Sequence, residues 1–123
     1  MSDLDFFYPN DFTYVSLTQS GDFKIIKNHT IRNLLVKLYS SYESIDREQS
    51  NLINNLDNNF FPAFYESYNM ANKRILDRTY FQGASLANYA VFTMDKLNTI
   101  SIYFDRSRNL AEQAVEAINK ELE

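Results

Sequence analysis

The sequence predicts an all-α fold, an antiparallel helical bundle of three to four helices with a kink or break near Pro62. Apolar side chains recur every three or four residues over most of the chain, the spacing of one helix face. Only two glycines and two prolines are present, so few tight turns are available for a sandwich or barrel. With 123 residues the chain can build one core, and we expect a single α-helical domain over 1–123.

The first predicted helix lies within residues 9–21 and ends at a glycine. Three of its residues fall at helical spacing: Phe12, Val15 and Gln19. Gly21 stands where a left-handed residue ends many helices. Phe23 and Ile26 then turn towards the core, and Asn28 or Thr30 caps the next helix.

A long second helix follows this corner. Its apolar stripe consists of Ile31, Leu34, Leu35, Leu38, Tyr42, Ile45, Leu52, Ile53 and Leu56. Gln49 occupies one apolar position of the stripe. Because the residue before a proline disfavours the helical conformation, Pro62 predicts a break at 58–61. A further helix is predicted over 62–76.

The last helix is predicted from about Ala84 to the end of the chain, after a connector containing Asp77 and Gly83. Its stripe consists of Leu86, Ala90, Thr93, Leu97, Ile100, Phe104, Ser107, Ala111, Ala114, Ile118 and Leu122. Such spacing is typical of a helix packed nearly parallel or antiparallel to its neighbours. A second apolar face contains Tyr89, Phe92, Tyr103 and Leu110.

Residues 8–45 resemble a segment of a family of small Bacteroidota membrane-anchored proteins, in which an N-terminal transmembrane helix precedes an α-helical domain. The matching residues are Leu17, Ser20, Gly21, Ile25, Ile26, Asn28, Leu38, Tyr39 and Tyr42. The aromatic middle of the chain, residues 80–90 and the final long helix also fit the family, so the resemblance covers nearly the whole chain.

The resemblance implies a helical fold but no activity, because the family has no established one. The transmembrane helix and the helix that links it to the matching segment are missing here. We therefore expect either an excised soluble domain or a free-standing relative, with membrane contact only through a segment not present in this chain. The resemblance implies a periplasmic location; without it, the cytoplasm is expected.

Composition argues against several kinds of site. The chain has no cysteine, and its single histidine, His29, cannot build a zinc site alone. We therefore expect no metal, no cofactor and no catalytic residues, and predict that the protein is not an enzyme. A net charge of −4 disfavours binding to nucleic acid. The carboxylates Glu43, Asp46 and Glu48 are interpreted as a solvated helix face.

The aromatic side chains are the most unusual feature, with ten Phe and nine Tyr. They could form a thick core, a partner surface or subunit interface, or a small-molecule pocket. The candidate partner surface consists of Phe60, Phe61, Phe64, Tyr65, Tyr68, Tyr89, Phe92 and Tyr103.

These observations predict a non-catalytic α-helical interaction or scaffold domain, the soluble part of a bacterial membrane-anchored protein. Its partner is expected to be another protein or a second copy, in a homodimer. The alternative is a ligand-sensing helical bundle with an aromatic-lined pocket.

Overall fold

The computed structural model describes residues 7–123 and confirms the all-α class. Its helices are α1 (Phe12–Ser20), α2 (His29–Asn55), α3 (Phe61–Ser67), α4 (Arg78–Gln82) and α5 (Ala84–Leu122). A 3₁₀ turn spans Asp22–Ile25, and a π-helical turn spans Leu56–Phe60. Two short antiparallel strands, β1 (Tyr68–Asn69) and β2 (Arg74–Ile75), form a hairpin.

The chain forms two compact units. Unit 1 comprises the chain up to Arg47 together with Ser101–Glu123, and unit 2 comprises Glu48–Ile100. The two long helices, α2 and α5, contribute residues to both units. The single domain expected over 1–123 stays a prediction.

Local side-chain and backbone chemistry builds the corner between α1 and α2. Gly21 has φ = 77°, and its N–H donates to the carbonyl of Thr18 at 3.4 Å, so the predicted left-handed stop is confirmed. The Asn28 Oδ1 accepts from the N–H groups of Thr30 at 2.9 Å and Ile31 at 3.2 Å. Asn28 is therefore the N-cap that starts α2.

The inward face of α1 differs from the expected one. Phe12 is 78% exposed and Gln19 is also exposed, whereas Tyr14 and Val15 are half-buried. The ring of Tyr14 stacks on that of Tyr39, with centroids 3.9 Å apart and an interplanar angle of 1°. Tyr14 therefore lies on the face of α1 that contacts α2, and Phe12 does not.

Apart from Ser41, the buried side chains of α2 and α5 in unit 1 follow a seven-residue spacing. On α2 the apolar ones are Ile31, Leu38 and Ile45. On α5 the buried positions are Ser107 and Ala114. Because seven residues correspond to about two helical turns, each helix presents a narrow buried row.

A buried serine pair joins the two helices in unit 1. The Ser41 Oγ lies 2.6 Å from the carbonyl oxygen of Leu38 and 2.6 Å from the Ser107 Oγ. Nearer the helix ends, the Asn28 Nδ2 donates to the Glu121 carboxylate at 2.8 Å. Residue 28, at the start of α2, pairs with residue 121, whereas residue 41, further along α2, pairs with residue 107. The two segments therefore run in opposite directions within unit 1.

The predicted break near Pro62 is a π-helical turn. The N–H of Phe61 donates to the carbonyl of Leu56, five residues earlier, and Phe61 itself keeps a helical conformation at φ = −62° and ψ = −41°. Pro62 has no N–H to donate to the carbonyl four residues before it. Widening the preceding turn is a known way to accommodate such a missing bond without ending the helix.

The helix predicted over 62–76 is wrong beyond Ser67, where α3 ends. The Asn69 Oδ1 accepts from the backbone N–H groups two and three residues later, at 3.0 and 3.2 Å. This Asn-mediated turn competes with the helix for the same backbone donors. Lys73 has φ = 54°, so the chain reverses here into the hairpin without a glycine.

The second connector contains a short helix that was not predicted. The Asp77 Oδ1 accepts from the N–H of Thr79 at 2.8 Å and caps α4. Gly83 then separates α4 from α5 in an extended conformation.

The predicted extent of α5 is confirmed, but its predicted stripe divides into an inner and an outer row. Buried or half-buried members are Leu86, Thr93, Ile100, Ser107, Ala111, Ala114 and Ile118, whereas the exposed ones are Ala90, Leu97, Phe104 and Leu122. The second face, formed by Tyr89, Phe92, Tyr103 and Leu110, is half-buried. Within residues 7–123 no helix combines the length and apolarity that a membrane span requires.

The left-handed backbone of Gly21 generates a stability prediction. A Cβ at this position meets no atom within 4 Å, so any penalty comes from the φ angle alone. Gly21→Val should lower the free energy of unfolding by about 1–2 kcal/mol, and Gly21→Asn by clearly less, because Asn tolerates this region. Urea denaturation of both variants measures the difference. Equal losses would mean that another residue sets the corner.

The serine pair predicts that substituting Ser41 lowers the free energy of unfolding more than substituting Ser107 does. Ser41 donates to the Leu38 carbonyl, so Ser107 must donate to Ser41. Ser41→Ala removes the acceptor that the buried Ser107 hydroxyl has within residues 7–123 and should cost about 1–3 kcal/mol. Ser107→Ala leaves Ser41 bonded and should cost less.

The double variant, with neither hydroxyl, should be more stable than Ser41→Ala alone because no buried donor is left unpaired. Thermal and urea unfolding check the order. If Ser41→Ala costs no more than Ser107→Ala, Ser107 has turned to a carbonyl of its own helix.

Candidate functional site

Most of the predicted aromatic residues form one ring cluster in unit 2. Phe64 lies at its centre, with ring centroids 5.6 Å from Phe60, 5.5 Å from Tyr68 and 6.1 Å from Phe81. These distances lie in the range that aromatic pairs prefer. The ring cluster consists of Phe60, Phe61, Phe64, Tyr65, Tyr68, Tyr80, Phe81 and Tyr89.

Burial of the ring cluster indicates a packing role. Of the candidate residues in it, only Tyr65 is exposed, at 52%, and the others are half-buried. Tyr89 on α5 joins through Phe60, at 6.1 Å between centroids. The cluster therefore holds α3, the hairpin and α4 to the rest of unit 2.

Two candidate residues lie outside the ring cluster. The ammonium of Lys96 lies 5.9 Å from the Phe92 ring centroid and 2.6 Å from the Glu48 carboxylate. Tyr103 belongs to unit 1, where the Arg106 guanidinium lies 5.4 Å from its ring. The ring cluster thus includes six of the eight candidate residues, and the partner surface stays a prediction.

A pocket of about 300 Å³ in unit 2 is lined by Asn55, Ser85, Asn88, Tyr89 and Phe92. Within the described part of the chain, the buried Asn55 Oδ1 and the Tyr80 hydroxyl have no hydrogen-bond partner. Burial, and to a smaller extent the neighbouring Tyr89, raises the pKa of Tyr80. Asn55, one of the lining residues, therefore has an acceptor oxygen without a partner in the described part of the chain.

An exposed apolar surface lies on the part of α5 that belongs to unit 2. Val91 is 58% exposed, Met94 70% and Leu97 54%. Ala87 and Ala90 are exposed on the same side. These five residues are called the outer face.

A second aromatic site, not predicted as such, lies in unit 1. This tyrosine pocket, of about 350 Å³, is lined by Tyr8, Pro9, Asp11, Tyr14, Val15, Tyr39, Tyr42, Glu43 and Asp46. Besides the stacked pair described above, Tyr39 meets Tyr42 edge to face, with centroids 5.3 Å apart. The pocket is formed where α1 packs beside α2.

Charge and burial both act on the tyrosines of this pocket. Burial raises the pKa of Tyr14, and the negative charge of Glu43 and the neighbouring Tyr39 raise it further. Burial and Tyr39 raise the pKa of Tyr42. Because an ordinary Tyr pKa is already about 10, both hydroxyls stay neutral at physiological pH.

A signal for this pocket exists in the sequence. Tyr39, Tyr42, Glu43 and Asp46 follow i, i+3, i+4, i+7 spacing, which places them on one helix face. From the sequence alone, the acidic residues indicate only a solvated helix face. The reason is that no local sequence pattern predicts that α1 packs against this face.

A larger pocket in unit 1 has matched polar groups. It measures about 430 Å³ and includes Asn28, Glu116, Lys120 and Glu121 among its lining residues. Lys120 donates to Glu116 at 2.8 Å, and this hydrogen bond lowers the pKa of the Glu116 carboxyl. Glu121 accepts from Asn28. The carboxylates of Glu116 and Glu121 therefore already accept hydrogen bonds from protein side chains.

Comparison with known proteins gives no match, whether with family models, curated proteins or solved structures. Across residues 7–123, no three His, Cys, Asp or Glu side chains converge in a way that could hold a metal ion.

Substitutions in the ring cluster test whether its side chains stabilise the fold or only form a surface. Phe64→Ala should lower the free energy of unfolding by about 2 kcal/mol, below the ~3–5 kcal/mol typical of a fully buried Phe. Tyr65→Ala, at the exposed edge, should cost less than about 1 kcal/mol. Urea denaturation provides both values. A costly Tyr65→Ala beside a harmless Phe64→Ala would contradict the packing role.

Proposed function

We propose that this chain is a non-catalytic α-helical interaction or scaffold domain that pairs with a second copy of itself through the outer face. The observation that supports this most is the exposure of Val91, Met94 and Leu97 on one side of α5. Monomeric proteins rarely leave contiguous apolar surface of this kind uncovered.

The small number of charged side chains on this part of α5 supports an apolar contact. Between residues 84 and 100 the only charged side chains are Asp95 and Lys96. Lys96 is half-buried and paired with Glu48, so it does not act on the outer face. Interface centres are similarly depleted of charge.

Self-pairing fits the shape of the outer face. Ala87, Val91 and Met94 follow the four-and-three spacing of a helix–helix seam, and the alanines allow close approach. A two-fold axis near Met94 would set Val91 of one copy against Leu97 of the other. Such an isologous contact closes after two copies, giving a homodimer.

The proposal puts the contact on the outer face rather than on the predicted aromatic residues, since these are half-buried except for Tyr65. Membrane anchoring through a segment outside this chain is part of the proposal and rests on the family resemblance alone. Another protein with an apolar helix could use the same face.

A specific observation favours the alternative, a ligand-sensing bundle with an aromatic-lined pocket. The pocket bounded by Tyr89 and Phe92 also contains Asn55, Ser85 and Asn88, so polar groups converge on it. Asn55 also has a buried Oδ1 with no hydrogen-bond partner within residues 7–123.

Self-association is tested by sedimentation equilibrium. We expect a dimer of the 14.5 kDa chain at tens of micromolar, and Met94→Glu should convert it to a monomer with unchanged circular dichroism. The reason is that burying a carboxylate in an apolar seam is unfavourable, whereas a side chain 70% exposed in the single chain tolerates the change.

Ile25→Glu is the matched control, because Ile25 is an exposed apolar residue of unit 1, outside the outer face. It should remain dimeric. A monomeric wild type, or a Met94→Glu variant that still dimerises, would contradict the proposal. Phe92→Asp is unsuitable, because Phe92 is half-buried beside Lys96 and its loss should unfold the chain.

A further inference from the structure

We infer that the tyrosine pocket of unit 1 binds an organic cation, a small molecule or headgroup with an alkylated ammonium group. This inference goes beyond the proposed interaction function and does not depend on it. It rests on three features of the pocket: its size, its aromatic walls and its unbalanced negative charge.

The size of the pocket suits a small ligand. Its volume of about 350 Å³ is at the lower end of the range of roughly 300–1,000 Å³ found for ligand sites. It lies beside α1, α2 and the chain just before α1, so elements from separate parts of the sequence enclose it.

Four tyrosines supply the walls: Tyr8, Tyr14, Tyr39 and Tyr42. The face of an aromatic ring carries partial negative charge and attracts a cation, most strongly when water is excluded. Ring contacts hold three of them in place: Tyr14 stacks on Tyr39, and Tyr39 meets Tyr42 edge to face. A cage of this kind is therefore pre-organised and needs little rearrangement to bind.

Among residues 7–123, no positively charged side chain lines the pocket to balance its negative charge. Asp11, Glu43 and Asp46 line it, and no Lys or Arg does. Throughout residues 7–123, none of these three carboxylates takes part in a salt bridge. The field of Glu43 reaches the aromatic wall, since it contributes to the raised pKa of Tyr14. A bound cation would supply the missing positive charge.

The chemistry favours an organic cation over a metal ion. In the described part of the chain the carboxylates do not converge into a metal-binding group. Hard metal ions require several oxygen ligands at short range. An alkylated ammonium group instead spreads its charge over methyl groups that pack against rings, which is what these walls offer.

The test is a calorimetric titration of the whole chain with choline at about 10 mM ionic strength, where charges are little screened. The control ligand is 3,3-dimethyl-1-butanol, which has the shape of choline but no charge. We expect choline to bind with a Kd of about 1 mM or below and the neutral analogue to bind at least about tenfold more weakly.

Three variants locate the site. Tyr8→Ala removes an exposed ring at the edge of the pocket and should weaken choline binding about two- to fivefold. Glu43→Gln keeps the shape, removes one charge and should weaken binding about threefold. Glu112→Gln removes an exposed carboxylate outside the pocket and should leave the Kd unchanged.

Each other outcome overturns the inference. Equal binding of choline and its neutral analogue would mean a merely apolar pocket. Binding that Tyr8→Ala and Glu43→Gln leave unchanged would lie elsewhere on the chain. Failure of the folded wild type to bind choline at tens of millimolar would exclude the cation site. Circular dichroism of each variant establishes that it is folded.

Discussion

The contact between α2 and α5 in unit 1 rests on one narrow row of side chains from each helix. Ile31, Leu38 and Ile45 repeat every seven residues on α2, and Ser107 and Ala114 do so on α5. Apart from Ser41, about one side chain per two turns is buried on each helix, so the flanking apolar residues are only half covered. This constraint explains why no Phe or Tyr of unit 1 within residues 7–123 is buried, and why apolar surface remains exposed there.

Small polar side chains in such a row fix how the helices align. The short side chains of Ser41 and Ser107 meet at 2.6 Å, so larger apolar residues at these two positions would push the helices apart. Apolar contacts alone allow neighbouring registers of similar energy, whereas a buried hydroxyl must find its acceptor. The serine pair therefore determines which turn of α5 faces which turn of α2, much as buried polar residues determine the register of coiled coils.

Local chemistry determined which structural features could be predicted. Gly21 and Asn28 act within three residues of themselves, so the first corner was predictable. Asn69 also acts locally, but its turn lies in a segment whose apolar residues have helical spacing. That spacing predicts a helix up to residue 76, which is wrong beyond Ser67. The rows of α5 that contain Leu97 and Ile100 have the same three-and-four spacing. Which of these two rows is buried depends on where the neighbouring helix lies, and the local sequence pattern does not show that position.

The two proposed surfaces depend on different forces, so binding at each should respond differently to salt. The outer face of α5 is nearly uncharged, so pairing through it depends on removing apolar area from water and should change little with salt. The tyrosine pocket relies on carboxylates that are largely exposed, and salt screens such charges over about 10 Å at 0.1 M. A chain with both surfaces could therefore keep its partner across a range of ionic strength while its affinity for a cation follows the surrounding solution.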